Sequence, residues 1–340
     1  MTSEPLVSVI VVNFNGLNWL HGCLSSLTRQ SFRSFEIIFV DNGSTDESVS
    51  FVQKNFPKIK LVKSKLNLGF AGGNNLGLKY SVGKYLLLLN NDTKVERDFV
   101  EKFVKGFDEF PNAGIIQSKI VWMNDPQKID TCGSYWTNSS FMYYVGNNKN
   151  TSLSIYNSPF QAFGVKGASC LIKRELIEKV GFLDSDFWNY YEETDFCHRA
   201  WIAGYECWYY PKPVCYHAIG GTSLTFDNDV IQFHNFKNKL SSFLTNFEMQ
   251  NLLIILPTFL LLNLLLSITW LLQGKIRHST ALFKALEWNI RNFNRTLKKR
   301  RKVQLSRKIW DIDYLSKVKK NPRLSYYYYL FSDNLGLYND

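Results

Sequence analysis

The sequence predicts an α/β fold in which a doubly wound sheet, mixed but mostly parallel, precedes a helical tail. Apolar runs without polar alternation indicate strands that are covered on both faces, at residues 6–12, 35–40, 59–62 and 85–89. Segments with apolar residues at helical spacing separate these runs. This βαβαβαβ order predicts a ligand site at the carboxyl ends of the strands.

The elements beyond these strands are predicted in chain order. Leu17, Leu20, Leu24 and Leu27 recur at helical spacing, Ser44 and Thr45 can cap a second helix, and 100–107 has a third apolar stripe. From residue 113 the pattern is less regular, with strands expected at 114–118, 167–172 and 207–210. The chain ends with a connecting helix at 234–248, an apolar run at 252–272 and an amphipathic basic region at 275–320.

Length and composition bound the organisation of the chain. With 340 residues, it can bury one large domain and still carry an appendage. We expect a domain over 1–245, divided into halves at 1–112 and 113–245, and a tail over 246–340. The six cysteines form no CxxC pair and no zinc-like spacing, which predicts free thiols in a reducing compartment. The first apolar stretch follows an acid and no basic residue, which predicts a strand and not a signal peptide.

The positive charge is concentrated at the end of the chain. The formal net charge is +11, and residues 275–340 contain 16 Lys or Arg against 5 Asp or Glu. Because this basic region follows a long apolar run, it favours anionic lipid over nucleic acid as a partner.

Two segments of the first half have features of a nucleotide site. Asp41 ends the second predicted strand, where its carboxylate can accept hydrogen bonds from a base or a ribose, although an Asp there is by itself more often a helix cap. The glycine-rich segment 67–77 opens a helix, where missing Cβ atoms let a nucleotide approach the backbone. It is not a GxGxxG fingerprint after the first strand, which argues against a Rossmann dehydrogenase.

Candidate metal ligands follow two other predicted strands. The fourth strand runs directly into Asn90, Asn91 and Asp92. A hard cation that bridges two phosphates needs oxygen ligands on a rigid strand end, and Asp92 supplies one. His217 ends a short strand before a Gly-Gly turn, a position that fits a further ligand. Each of these residues, taken alone, is more often structural.

Acids and aromatic residues are concentrated in 184–195. Carboxylates at the start of a helix interact well with its dipole, which explains one or two of these acids. The adjacent Trp188, Tyr190 and Tyr191 suit stacking against a sugar ring. A clustered carboxylate in such a partly apolar site can have the raised pKa that a general base requires.

Together these motifs resemble those of family 2 glycosyltransferases of the GT-A fold, in particular the rhamnosyltransferase-like branch that builds bacterial and archaeal surface polysaccharides. The resemblance covers roughly residues 6–250 and extends into the tail. Each motif is weak alone, but six in this order are specific. They are VNFNG, VDNGSTD, NLGFAGGNN, LLNND, GASCLIKRELIEKVGFLDSDFWNYYEETDFCHRA, and His217 with GGTS.

The resemblance implies an activity and a set of site residues. The activity is an inverting transfer of a sugar from dTDP-rhamnose or a UDP-sugar to a hydroxyl of a lipid-linked glycan, with Mg or Mn as the cofactor. It makes 1–245 the catalytic domain, with a nucleotide-binding half at 1–112 and an acceptor half at 113–245. It assigns Glu193 as catalytic base, Asp92 and His217 as metal ligands, Asn13, Asn15, Asp41, Asn67, Gly69 and Asn91 to the nucleotide, and Trp188, Tyr191 and Glu192 to the acceptor.

Two residues depart from the family pattern. Asn90 stands where the metal motif often has its first acid. Glu193 stands where the family usually has Asp in a Glu-Asp pair, and it is one methylene longer. Glu192 and Asp195 therefore remain alternatives for the base.

The tail has features of a membrane anchor. Residues 249–274 contain no charge, and 252–272 are numerous enough to cross about 30 Å of hydrocarbon. Pro257 divides this run, however, and a span would export the basic tail against the positive-inside tendency. We expect a peripheral or monotopic protein on the cytoplasmic face of the membrane, with 298–302 on lipid phosphates. The alternatives are a true span and a helical hairpin buried in a dimer interface.

Other function classes explain fewer of these features. A processive polysaccharide synthase would share the first half but needs a QxxRW motif and several spans, which we do not find. A catalytically inactive membrane scaffold of the same fold is the main alternative, although the catalytic and metal-site residues are present. A nucleic-acid-binding protein would have to rely on the basic tail and on YYYY at 326–329, and no recognition module is visible. We expect no nucleic-acid partner.

Overall fold

The computed structural model describes residues 4–218, 228–332 and 335–338. The strands within these ranges are β1 Val7–Asn13, β2 Phe35–Asn42, β3 Lys60–Ser64, β4 Tyr85–Leu89, β5 Thr93–Val95, β6 Ala113–Trp122, β7 Ile129–Thr131, β8 Ser134–Tyr135, β9 Tyr143–Tyr144, β10 Phe160–Gln161, β11 Ser169–Lys173 and β12 Glu206–His217. The helices are α1 Leu17–Thr28, α2 Ser48–Asn55, α3 Gly69–Leu78, α4 Phe99–Glu109, α5 Arg174–Val180, α6 Glu192–Ile202, α7 Asn228–Asn246, α8 Met249–Leu272, α9 Ile276–Arg291, α10 Phe293–Leu305, α11 Asp311–Val318 and α12 Leu324–Phe331.

Ten of the described strands form one sheet. Its main order is β10-β12-β6-β11-β4-β1-β2-β3, with β5 paired to β12 and β7 paired to β6. β3, β2, β1 and β4 are four consecutive strands that are parallel to one another. β11 enters antiparallel between β4 and β6, and β12 returns parallel to β6. The predicted fold class, a doubly wound mixed sheet with helices, is confirmed.

The central strands are buried on both faces of the sheet. Val9 and Val11 of β1 pack into one apolar cluster, whereas Ile10 between them packs into another. Alternate side chains of a strand point to opposite faces, so a sheet with helices on both faces requires continuous apolar runs. This burial explains why the strands lack polar alternation in the sequence.

The sheet places the candidate motifs at one edge. β1 lies between β2 and β4, and β3 continues beyond β2, so the chain changes its winding direction between β1 and β4. In open α/β sheets the ligand crevice lies at such a switch point, beyond the carboxyl ends of the strands. Asn13, Asp41 and Asn90 all lie at those ends.

The first helices of the tail are docked on the domain. α9 packs against α7 and α8, and α10 packs against α7. The Arg300 guanidinium donates hydrogen bonds to the carbonyl oxygens of Leu244 and Phe247, at 2.7 Å each. Lys299 lies 2.5 Å from the carboxylate of Asp184 and 2.6 Å from that of Asp186.

These contacts change the interpretation of the basic segment 298–302. Lys299 and Arg300 bind protein groups, so the expectation that the whole segment lies on lipid phosphates is wrong for these two residues. Lys298, Arg301 and Lys302 are exposed. The exposure of the basic side chains varies along the segment because one face of α10 packs on the domain and the other faces solvent.

Helix α8 runs through Pro257 without interruption. The expected division of the apolar run at this proline is therefore wrong. Proline removes one helical hydrogen bond, but leucine-rich segments on both sides favour the helix. By length and composition, α8 is the one helix in the described part of the chain that could cross a membrane, with a mean hydropathy of 2.4 and 22% of its most apolar window buried.

All six cysteines are buried free thiols, as predicted. Burial raises the pKa of Cys23 and of Cys132 to about 12. Neither thiol is therefore ionised near neutral pH.

The buried His198 makes the stability of the domain sensitive to acid. Its Nε2 lies 2.7 Å from the Tyr314 hydroxyl, and burial lowers the His198 pKa to about 4. Because the pKa of His198 in the folded protein is below the ordinary 6.5, this histidine takes up a proton more readily in the unfolded chain. The contribution of the neutral His198 to the free energy of unfolding is therefore complete above pH 6.5 and is lost as the pH falls toward 4.

We predict that His198→Gln removes part of this acid sensitivity, by roughly 3 kcal/mol at most. The free energy of unfolding in urea, measured for both proteins at pH 7 and pH 4.5, checks the prediction. The variant is expected to be less stable at pH 7 and to lose less stability on acidification. Equal losses in the two proteins would mean that His198 does not carry the effect.

Candidate active site

Amide side chains join the strand ends on the nucleotide side of the site. Asn91 Nδ2 donates a hydrogen bond to Asn13 Oδ1 at 2.6 Å. Asn13 Nδ2 and the backbone amide of Asn15 both donate to Ser44 Oγ, at 3.2 and 3.0 Å. A Cβ on Gly16 would lie 2.1 Å from Asn91 Nδ2 and 2.5 Å from Asn13 Oδ1, so a side chain there would displace this pair. The structure thus brings Asn13, Asn15 and Asn91 together.

Asp41 and its neighbour Asn42 have different roles in the same loop. Asp41 is buried, and its Oδ1 has no hydrogen-bond partner in the described part of the chain. Asn42 Nδ2 donates to Asn67 Oδ1 at 3.1 Å and to the Gly69 carbonyl at 3.0 Å. Sequence reasoning missed Asn42, although its place in VDNGSTD was a usable signal. The Asp41 carboxylate remains available to a ligand.

Gly69 connects the nucleotide side of the site to the aromatic segment, which comprises residues 188–191. Its φ is +70°, and a Cβ there would lie 2.1 Å from the carbonyl oxygen of Trp188. That oxygen accepts a hydrogen bond from the Ala71 amide at 3.2 Å, and Trp188 Nε1 donates to the Asn67 carbonyl at 3.4 Å. Trp188 therefore packs on the glycine-rich turn, and any side chain at position 69 would separate the two segments.

The aromatic segment has a strained backbone. Trp188, Tyr190 and Tyr191 all have positive φ values, of 62°, 71° and 70°. Non-glycine residues adopt this conformation only when their surroundings enforce it, and such strain occurs often at functional sites. Here Asn238 of α7 donates from Nδ2 to the carbonyl oxygens of residues 187, 189 and 190, at 3.1, 2.9 and 2.6 Å. Nothing in the sequence near Asn238 indicated this role.

Asp92 and His217, the two predicted metal ligands, lie close together. His217 Nε2 is 3.3 Å from Asp92 Oδ1, and this oxygen is buried without a hydrogen-bond partner in the described residues. β5 and β12 bring the two residues together, because His217 pairs with Thr93. The GGTS segment after His217 lies outside the described residues.

Two residues that sequence reasoning missed support His217, Asp130 by direct contact and Lys166 through Asp130. Asp130 Oδ2 is 2.7 Å from His217 Nδ1, and both Asp130 oxygens accept hydrogen bonds from Lys166 Nζ, at 2.7 and 2.8 Å. Burial alone would raise the pKa of Asp130, but Lys166 and His217 hold it well below its usual range. Asp130 lies in no recognisable motif, so no sequence signal pointed to it.

The residues present fit a divalent metal. In the described part of the chain, no three His, Cys, Asp or Glu side chains converge on one point. Asp92 and His217 offer two ligands, and the oxygens of a bound diphosphate could complete the set, as is usual for Mg²⁺. Asp130 would then hold the His217 ring so that Nε2 faces the metal, the common carboxylate–histidine arrangement.

A cavity of about 430 Å³ opens beside these residues. It extends from the carboxyl ends of the strands to the start of α6. Its volume lies in the range of small-molecule sites and is sufficient for a sugar residue. Its lining includes Phe70, Asn90, Asp130, Tyr144, Lys166, Tyr190, Tyr191, Glu192, Glu193 and Leu335. Tyr191 and Glu192, two of the three predicted acceptor residues, thus line one cavity with Glu193, whereas the lining does not include Trp188.

The three acids at the start of α6 have different environments. Burial raises the pKa of Glu193, and burial together with the charge of Glu193 raises the pKa of Glu192 well above its usual value. Asp195 instead binds Arg199 at 2.8 Å and accepts hydrogen bonds from Ser242 and Asn246, at 2.8 Å each. Burial would raise the pKa of Asp195, but these contacts lower it. Asp195 is thus a structural anion.

Solved structures assign the architecture to the GT-A fold. The mannosyltransferase PcManGT from Pyrobaculum calidifontis, solved with GDP-Man and Mn²⁺, has a TM-score of 0.52 and 17% identity over 90% of this chain and 86% of its own. GalNAc-T7, solved with UDP, GalNAc and Mn²⁺, has a TM-score of 0.55 and 15% identity over 72% of this chain and 48% of its own. At these identities the likeness shows the fold alone.

The sequence assigns the chain to a family. The profile described as Glycosyl transferase family 2 matches residues 8–181, just over half of the chain, and the chain belongs to this family. A glycosyltransferase from Haemophilus influenzae is 36% identical over 107 residues, which are 31% of this chain and 33% of its own. The low-salt glycan biosynthesis hexosyltransferase Agl10 of Haloferax volcanii is 24% identical over 204 residues, 57% of this chain and 61% of its own. This chain covers less than two thirds of the length of either relative.

We predict that Asp130→Asn weakens Mn²⁺ binding roughly 10- to 100-fold, the range found when a metal-bound histidine loses its supporting carboxylate. Calorimetric titration with MnCl₂ in the presence of UDP, GDP or dTDP measures this affinity without any turnover. Asp125→Asn is the matched control, because Asp125 is a half-exposed acid just before β7. Equal affinities of the two variants would contradict the role of Asp130.

Proposed function

We propose that this chain is an inverting, metal-dependent hexosyltransferase that moves a sugar from a nucleotide diphosphate donor to a hydroxyl of a lipid-linked glycan, in the assembly of cell-surface polysaccharide. The observation that carries the proposal is the cavity in which Glu193 lies with Asn90 and Asp130 of the strand edge. Transfer of this kind needs a base near the acceptor and a site for the leaving diphosphate nearby. We infer that the cavity joins the two.

Glu193 is the proposed catalytic base. Burial raises its pKa, which moves the carboxylate toward the range in which a general base works best near neutral pH. Asp195 does not compete, because Arg199 and two neutral side chains already occupy its oxygens. Glu192 and Tyr191 line the same cavity, and we assign both to acceptor binding. Trp188 lies outside that lining and packs on the glycine-rich turn.

The proposed step is a single displacement. The acceptor hydroxyl attacks the anomeric carbon, Glu193 takes its proton, and the bond between that carbon and the diphosphate oxygen breaks with inversion. Asp41, Asn13, Asn15, Asn67, Gly69 and Asn91 would hold the nucleotide. A divalent metal at Asp92 and His217 would neutralise the charge of the leaving diphosphate.

The proposed classes of donor and acceptor rest on the similarity of this chain to other proteins. The order of the sequence motifs supports the rhamnosyltransferase-like branch, with dTDP-rhamnose or a UDP-sugar as donor. Neighbouring structures were solved with GDP-Man or UDP, both with Mn²⁺. The name of Agl10 places that relative in glycan biosynthesis, which supports a glycan acceptor here.

We predict that Glu193→Gln lowers sugar transfer roughly 10²- to 10⁴-fold, the usual effect of losing a general base. Purified protein with Mn²⁺ or Mg²⁺ is incubated with a panel of nucleotide sugars, and release of nucleoside diphosphate is measured with and without bacterial membrane lipid extract. The wild-type rate should fall as the pH drops below the raised pKa of Glu193. Glu175→Gln, on the exposed surface of α5, is the matched control.

Two outcomes would contradict this proposal. Release that survives in Glu193→Gln but is lost in Glu192→Gln would move the role of base to Glu192. Failure of every donor, with and without lipid extract, would favour the inactive membrane scaffold, because the fold would then be present without turnover.

We further propose that α8 and its neighbours lie in the plane of a membrane surface on its cytoplasmic side. α8 exposes large apolar side chains along its length, at Leu253, Ile254, Leu261, Leu264, Leu265, Ile268, Leu271 and Leu272. Exposed apolar surface of this extent is typical of membrane or protein interfaces. Charge favours lipid, because exposed basic residues such as Lys298, Arg301 and Lys302 follow in α10 and attract anionic headgroups.

An in-plane orientation is supported by the contacts at both ends of α8. Before α8, the Glu248 amide donates to Asp311 Oδ2 at 2.7 Å. After it, α9 returns along α8, and the hydroxyl oxygens of Ser267 in α8 and Ser279 in α9 lie 2.5 Å apart. Further along α9, Asn289 Nδ2 donates a hydrogen bond to the carbonyl oxygen of Lys237 in α7 at 3.1 Å. Because both ends are tied to one domain, a helix that crosses the bilayer would have to break these contacts.

We predict that Leu261→Glu with Leu265→Glu lowers binding to vesicles of phosphatidylglycerol and phosphatidylcholine at least tenfold, because two charges would enter the apolar interface. Co-sedimentation measures the bound fraction. Leu153→Glu with Ile155→Glu is the matched control, because it adds the same charges at exposed apolar positions outside the tail. Equal loss in both proteins, or none in either, would exclude α8 as the membrane element.

A further inference from the structure

The end of the tail is built into the acceptor half of the domain. The Trp136 amide donates to the Val318 carbonyl, and the Lys320 amide donates to the Trp136 carbonyl, at 2.9 Å each. The Asn138 amide donates to Asn321 Oδ1 at 2.7 Å. Backbone contacts of this kind, over about 180 residues of sequence, add the segment to the side of β8.

Tyr326 of α12 holds the strand that borders the cavity. Its side chain is fully buried, and its hydroxyl donates to the Met142 carbonyl at 2.9 Å and accepts from the Tyr144 amide at 3.0 Å. Its ring packs edge-on against Tyr143, with centroids 5.2 Å apart. A buried hydroxyl needs such partners, and both of them belong to β9 or the residue before it. Tyr326 thereby fixes the backbone at Tyr144, a residue that lines the cavity.

The segment also reaches the cavity directly. Leu335, in the short 3₁₀ helix Leu335–Leu337, is a lining residue together with Tyr144, Tyr191 and Glu193. The Arg323 amide donates to the Tyr338 hydroxyl at 3.2 Å, which closes this last turn on α12. An apolar side chain beside tyrosine rings suits the apolar face of a sugar.

We propose that the C-terminal segment 318–338, through its described residues, completes the acceptor site of the proposed transferase. Tyr326 is a positioning residue that acts through Tyr144, and Leu335 forms part of the wall against which the acceptor sugar packs. The inference rests on the proposed function and divides the tail into two parts. The helices α8 to α10 serve the membrane surface, and the C-terminal segment selects the acceptor.

The first test compares two tryptophan variants. Leu335→Trp would fill the cavity wall, whereas Leu337→Trp adds the same bulk two residues away at a position that is 64% exposed. The probes are octyl glycosides of several hexoses and bacterial membrane lipid extract, each with the donor that wild-type protein accepts. Leu335→Trp should raise the KM for the acceptor at least tenfold and keep the nucleotide affinity, whereas Leu337→Trp should match the wild type.

The second test removes one hydroxyl. Tyr326→Phe keeps the ring but loses both hydrogen bonds, and Tyr328→Phe is the control on the same helix, where the side chain is 70% exposed. Hydrogen exchange of the Tyr144 amide should become at least tenfold faster in Tyr326→Phe only, with a raised acceptor KM. Thermal unfolding of all variants checks that the domain remains folded.

The outcomes separate this inference from the proposed function. If wild-type protein releases no nucleoside diphosphate from any donor, the transferase proposal fails, while the exchange experiment still tests the contact of Tyr326 with Tyr144. If wild-type protein transfers sugar and Leu335→Trp behaves as Leu337→Trp, the C-terminal segment does not form the acceptor site. Unchanged exchange at Tyr144 in Tyr326→Phe would overturn the positioning role.

Discussion

The buried carboxylate of Asp130 joins the two sides of the candidate active site. It accepts hydrogen bonds from Lys166, which lines the cavity beside Glu193, and it lies 2.7 Å from Nδ1 of His217, which faces Asp92. A buried charge is costly unless it is paired, so the Asp130 carboxylate depends on Lys166 and His217. Their common arrangement connects the cavity wall at Lys166 to His217 and Asp92.

A buried side chain also stabilises the strained backbone at residues 190 and 191, which form another wall of the cavity. Tyr190 and Tyr191 hold left-handed conformations that are unfavourable by themselves, and the three hydrogen bonds from Asn238 stabilise the turn. Because Asn238 belongs to α7, and α9 and α10 pack on α7, these two tail helices also support this wall. The packing of the tail and the shape of the cavity are thus linked through one helix.

Much of the fold was predictable, because continuous apolar strands and their intervening helices follow from local patterns. The motif residues Asn13, Asp41, Asp92 and His217 were predictable as a group, since parallel strands bring their carboxyl ends to one edge. Asp130, Lys166 and Asn238 were not, because they stand in segments without pattern and acquire a role only from partners far along the chain. The prediction at Pro257 was wrong for a different reason. Proline usually interrupts a helix, but here the leucine-rich residues on both sides keep α8 continuous.

The sequence by itself determined the doubly wound sheet, the family and the residues at the strand ends, because these depend on apolar periodicity and short motifs. The tertiary structure separated one of three neighbouring acids from the other two. Asp195 is occupied by Arg199, whereas Glu192 and Glu193 line the cavity. It also decided that the last residues of the tail reach that cavity, since the contacts of Tyr326 and Leu335 join segments nearly two hundred residues apart, and no local pattern encodes such contacts.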